Sequence, residues 1–128
     1  GACVVNTEDF KLEQYIPPSK DCYFYGHGMP NKDGSLTFQT ETNIYTKKGV
    51  IPIRDTQTLQ LVGQFPTFGE KPHDCHLIEN GKVMAITNAG GSIDDTMEQP
   101  SVTFVDIETR KLLEKIELDK ANRFPKDL

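Results

Sequence analysis

One sequence pattern that occurs three times constrains the fold of this chain most. Its copies begin at Asn6, Asp55 and Asp106, so their starts lie 49 and 51 residues apart. Each copy has an apolar segment, a turn that opens with Asn or Asp, and a second segment that ends in a large apolar residue. A repeat of this period is typical of propellers and solenoids, which stack one supersecondary unit several times. The repeat therefore predicts an architecture more firmly than any motif predicts a chemistry.

The two segments between the copies also resemble each other, and each contains a hairpin signal. His27 precedes Asp33-Gly34 in the first segment, and His73 precedes Asn80-Gly81 in the second. Such Asx-Gly pairs predict tight turns between strands, because Gly accepts the positive φ that these turns need. Each full unit then contains four short antiparallel strands within roughly 45 residues, which is the pattern of a propeller blade.

We therefore predict an all-β fold with about two and a half four-stranded blades of a β-propeller. Residues 1–20 are predicted to form the last two strands of one blade, 21–70 and 71–120 two complete blades, and 121–128 the start of another. On this interpretation the chain is a piece of a longer protein. Because unpaired strand edges attract other strands, its expected partners are the remaining blades or a second copy of the chain.

Composition argues against several classes of partner. The net charge of −5 does not suit a nucleic-acid interface, which needs a concentrated basic patch. No apolar stretch approaches the ~20 residues of a membrane-spanning helix. Cys3, Cys22 and Cys75 lack the spacing of a zinc or redox motif, while one disulfide or three reduced thiols would both fit. We predict neither a nucleic-acid partner nor a membrane span.

Sequence motifs for nucleophilic or phosphate chemistry are missing. No Gly-x-Ser-x-Gly elbow occurs, and Ala89-Gly90-Gly91-Ser92 is too short for a phosphate-binding loop. No catalytic residue is therefore predicted. The long acidic loop from Ala89 to Gln99 is the candidate functional loop, because loops carry function more often than strands do. The alternative is that it is a solvated connector.

Several polar side chains are expected to meet at one end of the two predicted hairpins. In an antiparallel hairpin, the start of the first strand and the end of the second lie at the same end. If first strands line the central channel, both groups face the same mouth of the propeller from adjacent blades. The predicted ligand-binding residues are His27, Glu41 and Asn43 from the first hairpin, and His73, Asp74 and Asn88 from the second.

Within this set, His27, Glu41 and His73 are the predicted metal ligands. Nitrogen and oxygen donors suit a divalent transition metal ion, which is the only cofactor that the sequence indicates. A structural role is the alternative: the Gly26-His27 pair resembles the WD-type Gly-His pair, whose buried histidine ties adjacent blades by hydrogen bonds. The same two interpretations apply to His73.

An ordered set of motifs gives the chain a family resemblance. The motifs are Phe24-Tyr25-Gly26-His27-Gly28, Asp33-Gly34, Thr40-Glu41-Thr42-Asn43, Gly49-Val50-Ile51, Gly63-Gln64-Phe65-Pro66, Lys71-Pro72-His73-Asp74 and Asn88-Ala89-Gly90-Gly91. Together they resemble an uncharacterised bacterial propeller family, a domain of unknown function. That family belongs among the seven-bladed propellers of the YVTN and quinoprotein-amine-dehydrogenase-like type.

The resemblance implies a compartment and a biological setting. Members of the family are usually exported, often by the twin-arginine route, and tend to be encoded beside imelysin-type, iron-regulated proteins. It therefore implies a periplasmic binding or scaffold module linked to iron or other metal uptake, with envelope iron-uptake proteins as partners. The competing hypothesis is an enzyme, either a metal-dependent lactonase or a quinoprotein-type dehydrogenase, with its site at the propeller mouth. That hypothesis rests on fold analogy alone.

Overall fold

A computed structural model describes residues 1–91 and 98–118, and it confirms the all-β prediction. The strands are β1 (Ala2–Val5), β2 (Leu12–Ile16), β3 (Cys22–Pro30), β4 (Leu36–Asn43), β5 (Lys48–Asp55), β6 (Leu61–Glu70), β7 (Pro72–Ile78), β8 (Val83–Asn88), β9 (Ser101–Asp106) and β10 (Leu112–Glu117). Among these residues no helix has the length and apolar character needed to cross a membrane. Residues 92–97 of the acidic loop and the predicted blade start at 121–128 lie outside the described ranges.

The strands form three antiparallel sheets arranged as propeller blades. The N-terminal sheet has two strands, β1 and β2. The middle sheet has the order β3-β4-β5-β6, and the C-terminal sheet runs β7-β8-β9-β10 in space as in sequence. The first strands of the two complete blades, β3 and β7, contact each other and are called the inner strands below.

The repeated turn explains why the three sheets share one plan. In each copy the opening Asn or Asp accepts a backbone hydrogen bond from a residue two or three positions further along. The fifth residue of each copy then takes a left-handed conformation, with φ of 58° at Phe10, 61° at Leu59 and 61° at Arg110. Asx side chains that bond their own turn stabilise this geometry without requiring glycine. The repeat seen in the sequence is therefore a repeat of backbone conformation.

The hydrophobic core lies between the two complete blades. Strands β4 and β6 of the middle sheet pack against β7, β8 and β9 of the C-terminal sheet. The Thr103 hydroxyl also donates a buried hydrogen bond of 2.7 Å to the Thr67 carbonyl oxygen across this interface. The buried core residues are Phe38, Ile51, Ile53 and Phe65 from the middle sheet, and Cys75, Met84, Ile86 and Val105 from the C-terminal sheet.

The three cysteines are free thiols in this structure. Cys3 is exposed, Cys22 is partly exposed and Cys75 is buried in the core. Burial raises the pKa of the Cys75 thiol to about 12, with a smaller contribution from the nearby Asp74 charge. Cys75 therefore acts as a small neutral core residue.

The backbones of the inner strands come into close contact at Gly26. A methyl group built on Gly26 would overlap the carbonyl oxygen of His73 on the neighbouring blade. A methyl group on Gly28 would lie 2.5 Å from the Phe38 carbonyl oxygen within the same blade. The two glycines of the Gly-His-Gly motif are therefore needed for backbone packing, because only glycine fits where two backbones come this close.

We predict that Gly26→Ala lowers the free energy of unfolding by about 2–3 kcal/mol, because the added methyl group must push the inner strands apart. The measurement is urea unfolding followed by circular dichroism. Gly63→Ala is the matched control: the atoms nearest to its methyl group would belong to the Arg110 guanidinium, the first at 2.7 Å, and that flexible group can move. Equal losses for the two variants would contradict this account of Gly26.

Candidate functional site

Both candidate histidines lie in β-bulges of the inner strands. Phe24 pairs with Glu41 and Gly28 with Gln39, so residues 25–27 lie opposite a single residue of β4. In β7, Pro72 pairs with Asn88 and Asp74 with Thr87, which leaves His73 as an extra residue. Bulges redirect side chains and are over-represented next to functional sites. The regular pairing of each inner strand is thus interrupted at its candidate histidine.

Thr40 holds the bulge of β3 in place. The Gly26 N–H donates to Thr40 Oγ1 at 3.1 Å, and the Thr40 hydroxyl donates to the His27 carbonyl oxygen at 2.9 Å. Thr40 is fully buried, so water does not compete for these hydrogen bonds. The backbone on both sides of the His27 side chain is therefore fixed.

The bulges bring His27 and His73 together across the boundary between the blades. Their ring centroids are 5.2 Å apart, with an interplanar angle of 73°. Both residues are exposed. The Tyr25 ring lies 6.3 Å from the His73 ring, also edge-to-face. We call His27 and His73 the histidine pair.

Asp74 adds a negative charge close to the histidine pair. Burial opposes ionisation of Asp74, but the Cys75 N–H at 2.8 Å and the His76 ring at 3.1 Å stabilise the carboxylate. Together with the nearby His27, they hold the pKa of Asp74 below its ordinary value. Asp74 is therefore ionised at neutral pH and already hydrogen-bonded to His76.

The structure does not bring Glu41 to the histidine pair. Glu41 is fully buried, and its carboxylate accepts hydrogen bonds from Arg54 Nη2 at 2.8 Å and from the Ser19 N–H at 3.0 Å. Its neighbour Thr40 carries the side chain that bonds the His27 bulge, and consecutive strand residues point to opposite faces. The predicted metal set of His27, Glu41 and His73 is therefore not assembled. In the described ranges no three His, Cys, Asp or Glu side chains lie close enough to hold a metal ion.

The two predicted asparagines stabilise the blades locally. Asn43 Oδ1 accepts hydrogen bonds from the Tyr45 and Thr46 N–H groups, which caps the turn between β4 and β5. Asn88 is only 2% exposed, and its amide donates to the hydroxyl oxygens of Ser101 and Thr103 on β9. Of the six predicted residues, the structure thus groups His27, His73 and Asp74.

Sequence reasoning missed two residues that shape this region. Arg54 is only 3% exposed, and besides Glu41 it donates to the Pro17 carbonyl oxygen and to Gln39. The sequence did contain a sign of this buried ion pair, because Arg54 is a single charged residue in the apolar segment before the turn that opens with Asp55. Thr40 carried no comparable signal, since its role depends on the bulge.

We predict that Glu41→Gln destabilises the fold by about 3 kcal/mol, because it leaves the Arg54 charge buried without its counterion. The double replacement Glu41→Leu with Arg54→Met should recover most of that loss, since apolar residues of similar size replace such pairs at little cost. Chemical unfolding of each variant measures both effects. Lys48→Gln, which breaks an ion pair whose lysine side chain is 55% exposed, is the control and should cost less than about 1 kcal/mol. If the double variant loses as much stability as Glu41→Gln does, the cost does not come from an uncompensated Arg54 charge, and this account of the ion pair is contradicted.

Comparison with known proteins places the chain in a family. Residues 1–124 match the family described as a protein of unknown function, DUF1513, and the chain belongs to that family. No curated protein matches significantly.

A solved structure supports the architecture. Hydrazine synthase of Kuenenia stuttgartiensis superposes with a TM-score of 0.71 at 16% sequence identity. The match covers 94% of this chain and 36% of the hydrazine synthase chain. At this identity the similarity concerns the fold alone, and the present chain spans about a third of the matched one.

Proposed function

We propose, from the histidine pair and membership of DUF1513, that the protein is a non-enzymatic binding module whose site lies on the inner strands. The observation that carries this proposal is the pairing of two bulged histidines from adjacent blades. A bulge weakens the strand ladder, and here two of them present imidazoles to the same space. The bulges leave both side chains exposed, as a binding site requires.

We propose a divalent transition-metal ion as the ligand. Imidazole nitrogens are suitable ligands for zinc, copper, iron and nickel. His27 and His73 would supply two ligands, and the ionised Asp74 nearby would favour a cation electrostatically. Water or an added ligand would complete the coordination.

The family resemblance supports a more specific setting. We propose that the protein works in the bacterial periplasm in iron or other metal uptake, alongside iron-uptake proteins of the envelope. A fusion to a reporter that is active only after export would test the location. A cytoplasmic signal from the full-length protein would refute it.

We also propose that further blades of the same protein cover the edge of β1. Within the described residues β1 pairs only with β2, whereas the equivalent strands β5 and β9 pair on both sides. Phe10, in the turn between β1 and β2, is 81% exposed, and Tyr15 of β2 is 73% exposed. An open edge with exposed aromatic side chains favours association with other strands.

We predict that the chain binds Ni²⁺ and that His27→Ala with His73→Ala lowers the affinity at least about 100-fold, since even outer-shell partners of metal ligands contribute 10–100-fold. Titration calorimetry measures the change. All proteins carry Cys3→Ser, because the exposed thiol is itself a metal ligand.

His76→Gln is the matched control for this titration. His76 is an exposed histidine of the same strand, and glutamine can still donate a hydrogen bond to Asp74. The control should bind Ni²⁺ within about twofold of the parent protein, as expected for a surface change away from the ligands. Equal affinity of the parent and the double histidine variant would refute the proposed function.

A further inference from the structure

Four rings form a continuous row along the inner strands. The row begins near the start of β3, where the ring centroids of Tyr23 and Tyr25 are 6.2 Å apart. The Tyr25 centroid lies 6.3 Å from that of His73, which in turn lies 5.2 Å from that of His27. All three contacts are edge-to-face. We call these four side chains the ring row. The histidine pair forms one end of it, and two tyrosines extend it away from the pair.

A positive charge lies at the other end of the ring row. The Lys47 ammonium is 5.9 Å from the centroid of the Tyr23 ring, within the range of a cation–π contact. The turn before β5 fixes this lysine: its backbone has φ of 62°, its N–H donates to the Asn43 carbonyl oxygen, and its ammonium donates to the Ile44 carbonyl oxygen. The ring row therefore has two imidazoles, which can supply nitrogen ligands, at one end and the positive charge of Lys47 at the other.

Aromatic side chains extend the surface between these two ends. Tyr25 is 38% exposed, and Gly26 and Gly28, which carry no side chain, are exposed beside it. Aromatic rings favour contact with other flat rings, either stacked or edge-on. A bare metal ion would use only the histidine end of this surface. A planar ligand would use the tyrosines as well.

We propose that the site takes its metal as a complex with an anionic, planar aromatic chelator. This inference rests on the proposed function and specifies its ligand. The two imidazoles occupy coordination positions that the chelator leaves open, the chelator ring contacts Tyr25 and Tyr23, and a carboxylate or phenolate of the chelator faces Lys47. A tridentate chelator on an octahedral ion leaves positions for both imidazoles and one water molecule.

The test compares Ni²⁺ alone with its 1:1 complex with dipicolinate, a flat, dianionic, tridentate chelator. Tyr25→Leu should weaken binding of the complex about five- to tenfold, the range expected for one lost aromatic contact. The same variant should weaken binding of Ni²⁺ alone by a smaller factor, because Tyr25 contacts the His73 ring but supplies no ligand to the metal. Lys47→Gln should also weaken the complex selectively, and this loss should shrink as salt is added. Tyr15→Leu replaces an exposed tyrosine of β2 and is the matched control.

The outcomes separate this inference from the proposed function. If Tyr25→Leu and Lys47→Gln bind the complex as the parent chain does, the inference fails while a histidine-dependent Ni²⁺ site stands. If the parent chain binds Ni²⁺ alone more tightly than the complex, the inference also fails. If the double histidine variant binds the complex as tightly as the parent chain does, the imidazoles do not coordinate its metal, and the inference is refuted. Two results together support the inference. Tyr25→Leu and Lys47→Gln weaken binding of the complex selectively, and the double histidine variant binds neither Ni²⁺ nor the complex.

Discussion

The contact between the backbones of β3 and β7 at Gly26 sets the geometry on which the rest of the structure depends. It fixes the separation of the inner strands, and with it the separation of the two complete blades. Apolar side chains from both complete blades fill the space that this separation leaves. The same contact sets the distance between the histidine pair, since His73 provides the carbonyl oxygen that lies against Gly26. Packing and site geometry therefore have one cause.

Most of the fold was predictable because it is encoded locally. The opening Asn6, Asp55 and Asp106 each bond their own turn, so the repeat in the sequence translates directly into a repeat of turns and strands. Strand alternation and hairpin pairing then place both histidines on the inner strands. These rules involve neighbours in sequence or directly paired residues, which one sequence already specifies.

The composition of the site was harder to predict, because it depends on register and on which face each residue occupies. A regular hairpin would let His27 and Glu41 share one end, but three residues of β3 bulge opposite Thr40. Glu41 instead lies with Arg54 and the chain at Pro17 and Ser19, a set drawn from distant parts of the sequence. Neither a bulge nor a long-range ion pair has a period that can be read from the sequence.

The position of the histidine pair on the boundary between two blades has a consequence for assembly. Each blade contributes one imidazole, so neither blade alone contains the site. Any ligand that bridges His27 and His73 binds the docked blades and not the separated ones, and it stabilises their docking by mass action. Ligand occupancy and blade docking are then reciprocally linked. Filling the proposed site would in turn strengthen the interface that creates it.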